Sequence, residues 1–343
     1  MTTHDSPVTA PHAPAATRPA GRDASWRLAH ALVADVCAGI GVEPIVIKGA
    51  VASAHGLRPH REAGDLDVLV PPHALDAIIA RLQAQGWRLR ARDHDELLFP
   101  SHAVTLFREG WPIDLDIHYR YLGLPPAPGS AYELVRRLSR PQLVDGVEVL
   151  APLPAAHAVL VGLHCLRSPA VGRHAAELEQ LVAAFDRVDA HRVDVHAIDV
   201  HAVIDAARDL GAVGPLRPLL ARPDVLERVR DADRRETILT APPSAAEDEW
   251  SLIASSERPH ERRALQLHRA TWSQRVRLIG RWLRPSLDDL YKNRDSVRRT
   301  GVRTAGLYLR RIFRGLTLLP LAVLGLMIDR PRVGDTALGP TDR

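Results

Sequence analysis

Two short hydrophobic runs carry an acidic residue at every second position, and that alternation limits the chain more than any other feature. The first run closes the stretch from Ile45 to Val70, IVIKGAVASAHGLRPHREAGDLDVLV. It reads as a buried strand at Ile45 to Ile47, a Lys-Gly turn, a short helix, a basic loop with Arg58 and Arg61, and a second strand opening Asp65-Leu66-Asp67. Strand side chains alternate between faces, so Asp65 and Asp67 share one face while Leu66 and Val68 share the other. The second run, Trp111 to Tyr119 (WPIDLDIHY), sets Asp114, Asp116 and His118 against Ile113, Leu115 and Ile117 in the same way. Carboxylates crowded at the edge of a hydrophobic strand repel one another and lose solvation, which is costly unless a cation sits among them.

Carboxylate oxygens suit hard divalent cations, and magnesium typically takes one or two of them together with substrate phosphates. Asp65 and Asp67 are therefore candidate metal ligands. If the two acidic strands pair side by side, a third carboxylate comes from Asp114 or Asp116, which lie one pleat apart, and the strand register decides between them. Two ions about 3.5 to 4 Å apart clamp the attacking and leaving oxygens of a phosphoryl displacement. Paired carboxylates also serve glycoside hydrolysis, where an acid and a base flank the scissile bond. A D-x-D on one strand puts both groups on one side of the substrate and favours metal. The chain has no GxxxxGK[ST], GxSxG or GxGxxG pattern.

The order Lys48-Gly49, then Arg61-x-x-x-Asp65-x-Asp67 with Leu69-Val70 after it, then Asp116-x-His118, resembles the uncharacterised bacterial nucleotidyltransferase family of the polymerase-β-like superfamily. The resemblance covers residues 25 to 165, and Lys48-Gly49 stands where many relatives carry Gly-Ser. It implies an α/β (α+β) fold with a mixed-sheet nucleotidyltransferase core, followed by a mostly helical C-terminal part. It also implies transfer of a nucleoside monophosphate from an NTP, ATP foremost, to a hydroxyl-bearing acceptor, with release of pyrophosphate. Asp65, Asp67 and Asp116 would hold magnesium, or manganese in its place, and the Asp-x-His pairing favours Asp116 over Asp114. Lys48, Gly49, Arg61 and His118 would contact substrate, with His118 orienting the acceptor, meeting a phosphate or bonding Asp116. A nucleotide-binding module without turnover is the alternative that the Lys-Gly substitution leaves open.

Lysine occurs only at Lys48 and Lys292 among 45 basic residues, so the lysine at the turn stands out in an arginine-rich chain. A compact ammonium meets phosphate as a point charge where a guanidinium fork needs more room. The net charge of +4 hides a division: residues 258 to 314 hold sixteen basic and four acidic side chains, a net +12, so the remainder carries −8. Such a region suits a nucleic acid, an anionic membrane surface or the acidic remainder of the chain itself, and a membrane- or partner-binding role through 258–328 is a further alternative. Two cysteines, Cys37 and Cys165, give no disulfide framework and fit a reducing cytoplasm.

In order, residues 1 to 23 read as a disordered Ala/Pro/Thr/His tail, 24–151 as the catalytic domain, 152–330 as a helical domain with the basic region, and 331–343 as a flexible end. Expected helices are 25–38, one starting at Pro71-Pro72, 155–166, 175–188, 195–210, 216–229 and 261–284; expected strands include 87–91, 96–99 and 103–108, with a hairpin at 142–150 turning on Asp145-Gly146. Leu265, Trp272, Val276, Ile279 and Leu283 would form an apolar stripe on the last helix. The apolar run 315–328 is too short to cross a bilayer and reads as a buried helix, with peripheral membrane contact through 310–328 as the rival. His191, His196 and His201 recur every five residues and share no helical face; His157 and His164 share one but read as packed or surface residues.

Overall fold

A computed structural model of the chain describes residues 21–59, 64–90, 101–127, 129–168, 171–185, 188–189, 192–193, 198–241, 250, 267, 270–283, 301–302, 304–310 and 313. Arg61, the expected strand at 96–99, His191, His196, Leu265, residues 1–20 and the apolar run 315–328 lie outside these.

Five strands form a mixed sheet: β1 (Ile45–Val46), β2 (Asp65–Leu69), β3 (Arg88–Leu89), β4 (Ala103–Phe107) and β5 (Asp114–His118), in the order β1-β2-β5-β4-β3. Only β2 and β5 run parallel; β1, β4 and β3 join antiparallel. The alternation in β2 and β5 makes the sheet two-sided. Leu66, Val68, Leu115 and Ile117 face a core completed by α1 (Arg22–Ala38) and α3 (Leu75–Ala84), through Trp26, Val33, Ile78 and Leu82. The other side carries Asp65, Asp67, Asp116 and His118, beside the apolar patch Ile45, Ile47 and Leu69. Between β1 and β2 lies the short helix α2 (Gly49–Ala54).

The opposite layer starts with α4 (Ser130–Arg137) and the hairpin β6 (Ser139–Val144) and β7 (Val147–Pro152). Its turn falls on Asp145-Gly146 as expected, both at positive φ, 50° and 78°, as two-residue hairpin loops require. Pro154 then opens α5 (Pro154–Leu166) at a first-turn position where proline loses no hydrogen bond. Residues 156–163 of α5 are all buried, the mark of a central helix. Around it pack α6 (Gly172–Ala184), α7 (Val200–Asp209) and α8 (Val213–Leu220). One hydrophobic cluster runs from Ile45, Ile47 and Leu69 on the sheet through Leu160 and Leu163 to Leu216 and Ile238.

The expected helix at 216–229 is broken. α8 ends at Leu220, α9 (Pro223–Leu226) restarts at Pro223, and α10 (Ala232–Thr240), capped by Asp231, follows without having been expected. Pro223 stands in the first turn of α9, where its missing N–H costs nothing; Pro218 lies inside α8, two residues before that helix ends. The apolar stripe on the helix Trp272–Leu283 is also rotated from expectation. Leu278 is buried, whereas Trp272, Val276 and Ile279 are 77%, 55% and 44% exposed. Among the described residues no helix is long and apolar enough to cross a membrane.

Candidate active site

The parallel register sets Asp65 opposite Asp114, Asp67 opposite Asp116 and Leu69 opposite His118. Opposed residues on one sheet face come within side-chain reach. Asp114 and Asp116, equivalent in the sequence, receive different neighbours. Arg90, just past β3, takes Asp114 in a two-pronged bond at 2.5 and 2.8 Å. Asp116 instead accepts a 2.5 Å hydrogen bond from Thr105 Oγ1 on β4 and lines a cleft with Asp65 and Asp67.

Asp67 is nearly inaccessible, and its Oδ1 meets both Lys48 Nζ at 2.8 Å and His118 Nε2 at 2.9 Å. Burial alone would raise its pKa; the Lys48 charge and the bonds from His118 and Lys48 outweigh that and hold it far below the carboxylate range. His118, pushed down to about 4 by burial and by Lys48, is a neutral ring whose Nε2–H donates to Asp67. Its buried Nδ1 has no hydrogen-bond partner among the described residues. Of the three roles open to His118, the bond to Asp116 is not the one observed: His118 bonds Asp67, which parallel pairing sets diagonally across from it. Asp116 moves the other way, up to about 6, through burial and the neighbouring Asp67 charge, against the Thr105 hydrogen bond.

Lys48 reaches this position from a strained turn, with φ 62° and ψ −148°, a region populated chiefly by glycine. A chain of hydrogen bonds holds it. Lys48 N–H donates to His157 Nε2 at 2.9 Å, His157 Nδ1 meets His55 Nδ1 at 3.1 Å, and His55 Nε2 meets Gln142 Oε1 at 2.7 Å. Gln142 closes the chain by donating Nε2 to the carbonyls of Ala151 and Pro152. Since the amide must donate, every later proton is assigned: His157 carries its hydrogen on Nδ1 and His55 on Nε2. Burial, then His55, keeps His157 well below its ordinary pKa, so it stays an acceptor. Gly49, at φ 50°, begins α2 beside the turn.

The cleft has a volume of about 280 Å³. Lys48, Asp65, Asp67, Asp116, His118 and Thr105 form its floor; Arg58, His102, His164, Arg167 and Arg173 form a basic wall. Among the described residues, Asp67, Asp116 and His118 bring candidate donor atoms within 4.8 Å of one another, and Asp116 is pushed up first by its burial and then by the Asp67 charge. The two carboxylates suit a divalent cation with oxygen preference, and the imidazole nitrogen would suit one that also takes nitrogen.

The structure therefore gathers Lys48, Asp65, Asp67, Asp116 and His118 at one cleft, with Gly49 adjacent. The sequence reading missed Thr105, the His157–His55–Gln142 chain and, apart from Arg58, the residues of the basic wall. One signal was available: His157, His164 and Arg167 fall within one arc of a helix at 100° per residue. The contacts across the cleft arise only once α5 folds over the sheet.

No curated protein matches the chain. Among solved structures, it is similar to the antibiotic-resistance factor ANT(2'')-Ia (12% identity, 58% of this chain and 91% of that one, TM-score 0.31). It is similar also to an antigenic nucleotidyltransferase-like protein from Paracoccidioides brasiliensis (14%, 62% and 94%, TM-score 0.35) and to the nucleotidyltransferase toxin MenT4 from Mycobacterium tuberculosis (13%, 73% and 94%, TM-score 0.32). A family model described as "uncharacterised nucleotidyltransferase" matches residues 15–221, a span that holds both acidic strands, the strained lysine and the helices over the cleft; the chain belongs to that nucleotidyltransferase family.

Proposed function

We propose that the protein is a divalent-metal-dependent nucleotidyltransferase that moves a nucleoside monophosphate from an NTP, ATP foremost, to an acceptor hydroxyl with release of pyrophosphate. The observation that carries this reading is the parallel register that opposes Asp67 and Asp116 across one face of the sheet. Asp65, Asp67 and Asp116 would hold magnesium or manganese, which when bound lowers the acceptor hydroxyl's pKa and offsets charge on the phosphates. Asp116 takes the acceptor proton, its carboxylate oriented by the Thr105 hydroxyl. Lys48 steadies Asp67 through their ion pair and places an ammonium where triphosphate charge would lie. His118 fixes the orientation of Asp67 from the far side. Gly49, beside the turn, and Arg61, four residues before Asp65, are the remaining phosphate contacts in this reading. Residues 24–151 form the catalytic part and 152–330 the acceptor side.

A second reading draws on one specific contact. The Lys48 ammonium already neutralises Asp67, as it would in a nucleotide-binding module that has exchanged metal for lysine and lost turnover.

The test is pyrophosphate release from each of the four NTPs with magnesium or manganese and a lysate of the native host, comparing wild type with Asp65→Ala/Asp67→Ala and Asp116→Asn. Release that the substitutions abolish supports transfer. Full release by the double variant rules it out, and NTP binding without release by wild type favours the module.

A further inference from the structure

An apolar face lies open where the sequence predicts a buried one. Trp272, Val276 and Ile279 recur at helical spacing, within about 60° of arc, and all three are exposed. The same helix is anchored on its far side, where Leu278, about 130° round from the stripe, is fully buried. Its back is thus held by the protein and its stripe turned outward. The pattern recurs further on. Residues 301–302, 304–310 and 313 are helical, and there Val302, Leu309 and Phe313, within about 40° of arc, are 87%, 69% and 72% exposed. Scattered exposed apolar residues need no explanation, whereas two stripes at helical spacing mark a surface that something covers.

The charge of these segments narrows what that is. Residues 272–283 and 301–314 hold seven arginines and no acidic residue, and Arg277 and Arg310 are exposed beside the stripes. A second copy of the chain would set those arginines against their own kind, a like-charge contact that opposes pairing. A nucleic acid would take the guanidinium groups through its phosphates but would leave the Val276 and Ile279 side chains without an apolar partner. An anionic lipid surface takes both: acyl chains receive the stripe, while guanidinium groups on long stems reach the headgroup phosphates. Tryptophan, here Trp272, suits that boundary, with an apolar ring and a polar N–H. We propose that the helix Trp272–Leu283 and the helical residues around Val302, Leu309 and Phe313 dock the protein peripherally on an anionic bilayer. Among the described residues no helix is long and apolar enough to cross one. The proposal uses no residue of the cleft and stands or falls apart from the transfer reading.

The test is flotation of the full chain with vesicles of phosphatidylcholine alone and of an equal mixture with phosphatidylglycerol, at low and at high salt. Wild type should bind the anionic vesicles about tenfold or more tightly than the neutral ones, and less tightly as salt rises. Trp272→Ser/Val276→Ser/Ile279→Ser alters exposed positions only, so it should keep its circular dichroism spectrum while losing about tenfold in affinity for the anionic vesicles. Arg277→Gln/Arg310→Gln should weaken anionic binding and flatten its salt dependence, with binding to neutral vesicles unchanged. Absence of wild-type flotation overturns the proposal, and so does anionic binding that the serine variant retains in full. Wild type that binds single-stranded RNA but no vesicle assigns the arginines to nucleic acid, and a lipid-free dimer that the serine variant dissolves assigns the stripe to a second copy; either result overturns the docking.

Discussion

Lys48 does two things at once: its backbone occupies a conformation disfavoured for any residue with a Cβ, and its ammonium compensates a buried carboxylate. The two can be separated. Lys48→Ala leaves Asp67 with the neutral His118 alone and should lose about 3 to 5 kcal/mol in equilibrium urea unfolding. Lys48→Gly lacks the ammonium too but tolerates the turn, so it should be more stable than Lys48→Ala by about 1 kcal/mol or more. Equal stability of the two variants would mean the turn carries no strain. Asp116 gives the pH counterpart. Its folded pKa of about 6 lies above the ordinary value, so its contribution to stability is full below pH 4 and is lost as pH rises through 6. Metal needs the deprotonated form, so manganese affinity should rise about tenfold from pH 5 to pH 7, measured by electron paramagnetic resonance, and Asp116→Asn should bind weakly without that rise. A flat wild-type profile would remove Asp116 from the ligand set.

At the scale of elements, what the sequence made legible was whatever one strand or helix determines by itself. A period of two placed Asp65 and Asp67 on one face, and Asp116 and His118 on another that proved to be the same. Alternation did not distinguish Asp114 from Asp116, which only the resemblance favoured, because the difference in their neighbours comes from Arg90, which reaches Asp114 from beyond β3. Likewise His157 looks like a packed core histidine, as it would in any buried helix; its role comes from Lys48, 109 residues earlier. α5 acts as the bridge, and its fit against α8 is close. A Cβ on Gly162 would stand 2.8 Å from Leu216 Cδ1 and 3.1 Å from Leu219 Cδ2, both on buried side chains. Gly162→Val should therefore destabilise by about 1 to 3 kcal/mol through overpacking, read as a lowered urea midpoint with unchanged slope. A midpoint equal to wild type would show that the interface has slack.

For the whole molecule, Pro152 and Pro154 looked like a seam, and the chain does change there from strand to helix. The hydrophobic cluster nevertheless continues across it, from Ile45 and Leu69 to α5 and beyond. Proline marks where a backbone pattern ends; it carries no information about which apolar faces later meet. A fragment ending at residue 151 should therefore expose the carboxylate face with its apolar patch, bind a hydrophobic dye and lack a cooperative melt, whereas 1–257 should melt cooperatively. A fragment 1–151 with a sharp transition of its own would show that the sheet and its first helices suffice. The scarcity of lysine gives the cleft a chemical handle. Lys48 is one of two lysines, and its side chain is 9% accessible while it grips Asp67. Any ligand that loosens that grip exposes a single amine, so acylation at Lys48 becomes a native gauge of occupancy, with no label to be engineered.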